Sequence, residues 1–152
     1  SVAGMGWIGN AASMLAFVAQ PGFAAGEAWL DANPDPWTGN GYLCSKEAIN
    51  AYVAWRGFQL APEGIRLNSL NPGPTDTPMM PAFIEDQGQE FFDNFPKPVG
   101  RNSTAEEQAW CLVMLNSPRS SYMVATSVFA DGGFTGGLFT GGIDPAVLMP
   151  PE

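Results

Sequence analysis

The sequence contains no histidine. That removes Ser-His-Asp and Cys-His catalysis and most zinc sites. Basic residues are few: 6 Lys and Arg stand against 15 Asp and Glu, a formal net charge of −9. A chain this acidic is repelled by nucleic-acid phosphates and by anionic lipid, so neither is an expected partner. Only two cysteines occur, Cys44 and Cys111, too few for a disulfide framework. No apolar run is long enough for a membrane span. The most apolar early stretch, residues 11–30, is broken by Gln20, Pro21, Gly22, Gly26 and Glu27. No basic segment opens an apolar run in the manner of a signal peptide. Asn102-Ser103-Thr104 is therefore read as a chance match to the glycosylation pattern. A reduced, cytoplasmic protein is expected. Asp31, Asp35, Glu85, Asp86, Glu90 and Asp93 are scattered, with no spacing that suggests a metal site.

What is present suits a single folded domain. The chain has 152 residues, 45% hydrophobic and 14% charged, enough apolar material for a core. Its 18 glycines and 14 prolines imply long loops as well as regular structure. The pattern predicts short helices over residues 10–19 and 23–32, then turns at 33–36 and 38–41. Residues 42–60 contain no proline and are weakened as a helix only by Gly57. Apolar residues fall on nearly every side, which predicts a buried helix. Residues 65–70 read as a strand, stopped by Asn71-Pro72-Gly73-Pro74. Residues 75–100 read as a loop with a helix near 79–86. Ser103 or Thr104, with Glu106 or Glu107 three residues on, can cap a helix running to about Leu115. A strand over 122–130 ends at Asp131-Gly132-Gly133, and residues 134–152 read as a loop or flexible tail.

Strand, helix, strand from residue 65 to 130 predicts a parallel crossover. Two parallel strands cannot make a sheet buried on both faces, so a partner sheet outside these residues is expected. The chain starts at Ser1 rather than methionine, which leads to the expectation of an N-terminal part upstream.

Tyr42 and Lys46 stand four apart on the long helix, which puts both side chains on one face. An ammonium near a phenol favours the phenolate, and the tyrosine can then act as a general acid or base near neutral pH. The pair alone is weak. It is followed by Gly64-Ile65-Arg66-Leu67-Asn68, by Asn71-Pro72-Gly73-Pro74-Thr75-Asp76-Thr77-Pro78, by Gly100-Arg101 ahead of a capped helix, and by Asp131-Gly132-Gly133. In this order and at these intervals the series resembles the short-chain dehydrogenase/reductase family, and its single-domain members more than the extended epimerase type. The resemblance covers residues 41–133, and Ser1-Val2-Ala3-Gly4 looks like the end of the family's fifth strand.

The resemblance implies an α/β fold: the C-terminal portion of a doubly wound, parallel-sheet Rossmann-like domain, with its N-terminal half missing. It implies hydride transfer between NAD or NADP and a small-molecule alcohol or ketone, and a homo-oligomer when whole. Carried over, Ser1 polarises the substrate oxygen and Tyr42 moves the proton. Lys46 assists Tyr42 and holds the nicotinamide ribose. Pro72, Gly73, Thr75 and Thr77 belong to the cofactor-contacting loop. Residues 74–100 look like the substrate loop, with Met79, Met80 and Phe83, and also Ile84, Phe91, Phe92 and Phe95, forming an apolar lid. Arg101 is expected to be structural. Trp7, Trp29, Trp37, Trp55 and Trp110 are expected in the core or in contacts.

The Ser1-to-Tyr42 interval is 41 residues, about three times the usual family spacing, so residues 5–38 look like an insertion. A similar interval occurs in the bacterial 3-alpha-hydroxysteroid dehydrogenase/carbonyl reductase subgroup, which implies a bulky apolar substrate such as a hydroxysteroid. Two departures stand against the family pattern. Ala125 and Ser127 occupy positions where glycine and glutamine are commoner. The dinucleotide fingerprint is absent, and the glycines from Gly132 to Gly142 have the wrong spacing for it. Two competing readings stay open: a non-catalytic member that only binds or assembles, and a hydrolase using Ser1 with Lys46.

Overall fold

The computed structural model describes residues 1–34 and 40–148. The expected turns at 33–36 and 38–41, and Trp37, fall wholly or partly outside those residues. A 3-10 helix over Val2–Ile8 leads into α1 (Ala11–Val18) and α2 (Phe23–Ala32). The long helix α3 (Gly41–Leu60) follows. Its first turn is capped by Asn40, whose side chain accepts from the Leu43 N–H at 3.1 Å. Then come β1 (Ser69–Pro72), β2 (Thr75–Asp76), α4 (Met80–Gln87), α5 (Gln89–Asn94) and β3 (Ser103–Thr104). The chain continues through α6 (Ala105–Asn116), β4 (Ser127–Ala130) and α7 (Phe134–Phe139). The α/β reading with parallel strands holds. β1 pairs with β4 in parallel, Ser69 opposite Ser127 through Pro72 opposite Ala130. β2 pairs with β3 in parallel, Thr75 opposite Ser103.

Both main strands start four or five residues later than the hydropathy suggests. Residues 65–68 have other partners. The Arg66 guanidinium donates to the Leu115 and Ser120 carbonyls at 2.7 and 2.9 Å. Asn68 donates to the Met123 carbonyl and accepts from the Thr126 N–H. Side chains therefore do what ladder hydrogen bonds would do. Ala125 also turns the chain, with φ +55°, in the left-handed region that costs a non-glycine residue about 1 kcal/mol or more. That strained turn sits where the resemblance expected glycine.

α3 is not buried all round. One face is buried: Cys44, Glu47, Ala48, Asn50, Ala51, Val53 and Gly57. Ile49, Tyr52 and Phe58 stay exposed, because the packed neighbours lie on one side. Gly57 is a contact point rather than only a weakness. A Cβ there would come within 2.9 Å of Ala125 Cα and 3.0 Å of the Leu67 carbonyl oxygen.

Among the described residues, two apolar clusters hold the chain. In one, Met14 of α1 packs with Cys44, Ala48 and Ala51 of α3, flanked by Trp7, Phe17, Val18 and Leu30. In the other, Val2, Phe95 and Phe134 are buried together, Phe95 stacking on Phe134 at 4.6 Å between ring centroids. This second cluster corrects two expectations. Residues 134–139 are a helix, not a tail. Phe134 is fully buried, and the Asp131 carboxylate caps the turn by accepting from the Gly133 and Thr135 N–H groups at 3.0 and 2.8 Å. Phe91 and Phe95 belong to this cluster rather than to a lid. Trp110 is also not a core residue, being 71% exposed on α6.

Thr104 and Glu107 form the capping box of α6, and Arg101 grips the same carboxylate at 2.7 and 2.8 Å. The Arg101 hydrogen bond, then the Thr104 backbone bond, hold the Glu107 carboxyl down to about 2. A folded value below the unfolded one of about 4.3 means the stabilisation is complete above about pH 4.5 and is lost as pH falls toward 2. Melting temperatures of wild type and Glu107→Gln should therefore differ at pH 6 and converge by pH 2. A gap that stays constant across that range contradicts the cap. Ala125→Gly should raise stability by about 1 kcal/mol, since glycine adopts that φ without strain. A urea midpoint that is unchanged or lower would count against the strained turn.

Candidate active site

The site forms where the N-terminal turns of α3 meet the first residues of the chain. Tyr42 and Lys46 lie one turn apart on α3, and the Lys46 Nζ sits 5.2 Å from the centroid of the Tyr42 ring. Ser1 comes from a segment 41 residues away, and its Oγ lies 3.3 Å from Tyr42 Oη. The three side chains singled out for catalysis are thus brought together. Ser1 caps the 3-10 helix, its Oγ accepting from the Ala3 N–H at 3.2 Å.

Gly4 permits this approach. A Cβ at Gly4 would stand 2.5 Å from the Lys46 carbonyl oxygen and 2.7 Å from Asn50 Nδ2. Below this contact lies a buried polar network that the motif reading missed. Asn50 donates to the Gly4 carbonyl and to Asn71 Oδ1, both at 3.0 Å. Its own oxygen accepts from Ser69 Oγ at 2.9 Å, and Ser69 Oγ lies 2.9 Å from Ser127 Oγ. The only sequence signal for it is an asparagine one turn past Lys46 on the long helix. Ser127 is the residue that stands where glutamine was the commoner choice, and the network gives it a role.

Pro72 ends β1 opposite Ala130, which suits a residue with no N–H to donate. Gly73 donates to the Ala130 carbonyl at 3.2 Å, and a Cβ there would meet Asp131 Cα at 3.0 Å. Thr75 Oγ1 donates to the Gly73 carbonyl at 3.0 Å and lies 2.8 Å from Ser103 Oγ. Thr77 Oγ1 accepts from the Met79 N–H at 3.4 Å as α4 begins. Both hydroxyls therefore shape the loop. Of the residues expected at the substrate, Phe83 reaches the site, its ring edge-on to Tyr42 with centroids 6.1 Å apart. Met80 opens α4, and Met79 before it is 63% exposed.

The chemistry lies on an open face, with Tyr42 46% exposed. A cavity of about 220 Å³ opens beside Gly73, lined by Arg101, Glu107, Gln108, Cys111 and Asp131 among others, but not by Ser1, Tyr42 or Lys46. Burial, and then Glu47 beside it, push the Cys44 thiol upward, which disfavours its thiolate. Among the described residues, the side-chain partner of the Ser1 hydroxyl is Tyr42. That argues against a serine activated directly by Lys46. No three or more Cys, Asp or Glu among the described residues cluster as a metal site. No helix among them is long and apolar enough to cross a membrane.

A family model described as enoyl-(acyl carrier protein) reductase matches residues 35–135. General stress protein 39 of Bacillus subtilis (strain 168) is 36% identical over 104 residues, 65% of this chain and 36% of that protein. The 3-alpha-hydroxysteroid dehydrogenase/carbonyl reductase of Comamonas testosteroni is 34% identical over 93 residues, 60% of this chain and 36% of that protein. Among solved structures, that of YwfH, an NADPH dependent reductase involved in bacilysin biosynthesis, superposes with a TM-score of 0.53 at 32% identity. It covers 69% of this chain and 43% of that one. The chain spans 36% of the length of each of these two curated relatives.

Proposed function

The chain belongs to the short-chain dehydrogenase/reductase family, and on that premise we propose that it carries the proton-transfer face of an oxidoreductase acting on an alcohol or ketone with NAD or NADP. The observation that carries the reading is the meeting of Ser1, Tyr42 and Lys46: two hydroxyls 3.3 Å apart, with an ammonium 5.2 Å from the phenol ring centroid. When bound, the nicotinamide dinucleotide supplies or takes the hydride.

The chain's own residues do the rest. In the reducing direction Ser1 donates a hydrogen bond to the substrate carbonyl oxygen, and Tyr42 gives that oxygen its proton. In the oxidising direction Tyr42 takes the proton from the alcohol. Lys46 places positive charge beside the phenol, where negative charge develops on the oxygen. The donor set fits the cofactor. An ammonium suits ribose hydroxyls, and the Gly73 backbone, with Pro72, Thr75 and Thr77, forms the loop that would hold the nicotinamide end. Phe83, with Met79 and Met80 on the same stretch, offers an apolar flank to the substrate. That supports a carbonyl or hydroxyl on a bulky apolar skeleton, a hydroxysteroid among them. The 34% identity to the Comamonas testosteroni protein adds support to that choice.

In the whole protein, assayed with NADH and NADPH against cyclohexanone and a 3-ketosteroid, Tyr42→Phe should lower kcat by at least about two orders of magnitude. Undiminished turnover in that variant would refute the assignment. We extend the proposal to a homo-oligomer of the whole protein, as the family resemblance implies. Sedimentation velocity should show two or more times the protomer mass. A monomer at micromolar concentration contradicts this.

A further inference from the structure

Asn50 is the most enclosed polar side chain of α3, 1% exposed. It stands one helical turn beyond Lys46 and two beyond Tyr42. Its carboxamide is fully employed. Both Nδ2 protons are used, on the Gly4 carbonyl and on Asn71 Oδ1, each at 3.0 Å. Its oxygen accepts from Ser69 Oγ at 2.9 Å and from Ser127 Oγ at 3.4 Å. Asn71 directly precedes Pro72-Gly73. One side chain thus joins the serine segment, the tyrosine and lysine helix, and the strand that delivers the Gly73 loop.

Stability alone is a poor account of this arrangement. A buried polar group that is fully satisfied gains little over a well-packed apolar one. What directional bonds add is a fixed separation. The Ser1–Tyr42 contact is exposed and, at 3.3 Å, long for two hydroxyls, so it cannot hold the segment in place by itself. The Gly4 carbonyl is the nearest backbone group of that segment tied to α3, three residues from Ser1.

We propose that Asn50 is a positioning residue: it sets the distance between the Ser1 hydroxyl and the Tyr42 phenol by fixing the Ser1–Gly4 segment against α3. This rests on the reading of Ser1 and Tyr42 as reacting groups given above. A misplacement of about 1 Å at a reacting group costs up to about 100-fold in rate. The test is a double-mutant cycle on the whole protein, with kcat and cofactor KM measured for wild type, Asn50→Ala, Ser1→Ala and the double variant. NADH or NADPH and cyclohexanone serve as the probes.

Asn50→Ala should lower kcat by about 10-fold or more and leave cofactor KM within about twofold. The double variant should fall no more than about twofold below Ser1→Ala alone, because a serine that is absent cannot be misplaced. A residue that merely lent stability would act equally in both backgrounds. Losses that multiply, or full kcat in Asn50→Ala, overturn the inference. If Asn50→Ala does not fold, Gly4→Ala lifts the same segment off the helix and carries the same cycle with the same outcomes. Full turnover in Tyr42→Phe sinks the functional reading. A Tyr42→Phe loss combined with multiplying losses in the cycle sinks this inference alone.

Discussion

The backbone of Gly4 rests on the backbone of α3 at Lys46, close enough that a single methyl group would collide with it. Everything proposed for the site depends on that contact. It brings a hydroxyl from the start of the chain to a phenol 41 residues later. It also leaves a buried carbonyl, which Asn50 satisfies, as a buried backbone acceptor must be. A side chain at residue 4 would push Ser1 outward and leave both groups unpaired.

Two apolar clusters hold the same segment from either side. Val2, next to Ser1, is buried with Phe95 and Phe134. Trp7, at the end of the same 3-10 helix, packs on the cluster of Met14, Cys44, Ala48 and Ala51. The stretch between Ser1 and Tyr42 is therefore part of the scaffold, since its helix α1 is what covers the apolar groove of α3. Burying side chains of this size contributes about 1.5–3 kcal/mol each, far more than the exposed hydroxyl contact they position. The direction of cause runs from packing to site.

Helices α1, α2, α3, α4 and α6 and their order were legible in the sequence because their signals are local. Proline and glycine punctuate α1, α2 and α3, and the Thr104–Glu107 capping box announces α6. Tyr42 and Lys46 could be placed together because helical spacing alone sets their relation. Contacts between distant segments were not legible. Nothing near Phe134 says that Phe95 and Val2 will bury it, so a glycine-rich stretch that reads as a tail becomes α7. Strand starts were misjudged at Ile65 because Arg66 and Asn68 find carbonyls elsewhere. Asn50 was passed over for a related reason: its four partners lie on three separate pieces of chain, the Ser1–Gly4 segment, β1 and β4. At Ala125, by contrast, the departure from glycine was visible, and only the structure shows that φ there is +55°.

A crystal structure of the whole protein with a nicotinamide dinucleotide bound tests the account most directly. The account predicts the nicotinamide ring beside Tyr42, the Ser1 and Tyr42 oxygens within about 3.5 Å of each other, and the Lys46 ammonium within hydrogen-bond reach of the ribose. A nicotinamide seated elsewhere, or a Ser1 hydroxyl swung out of reach of Tyr42, would contradict it.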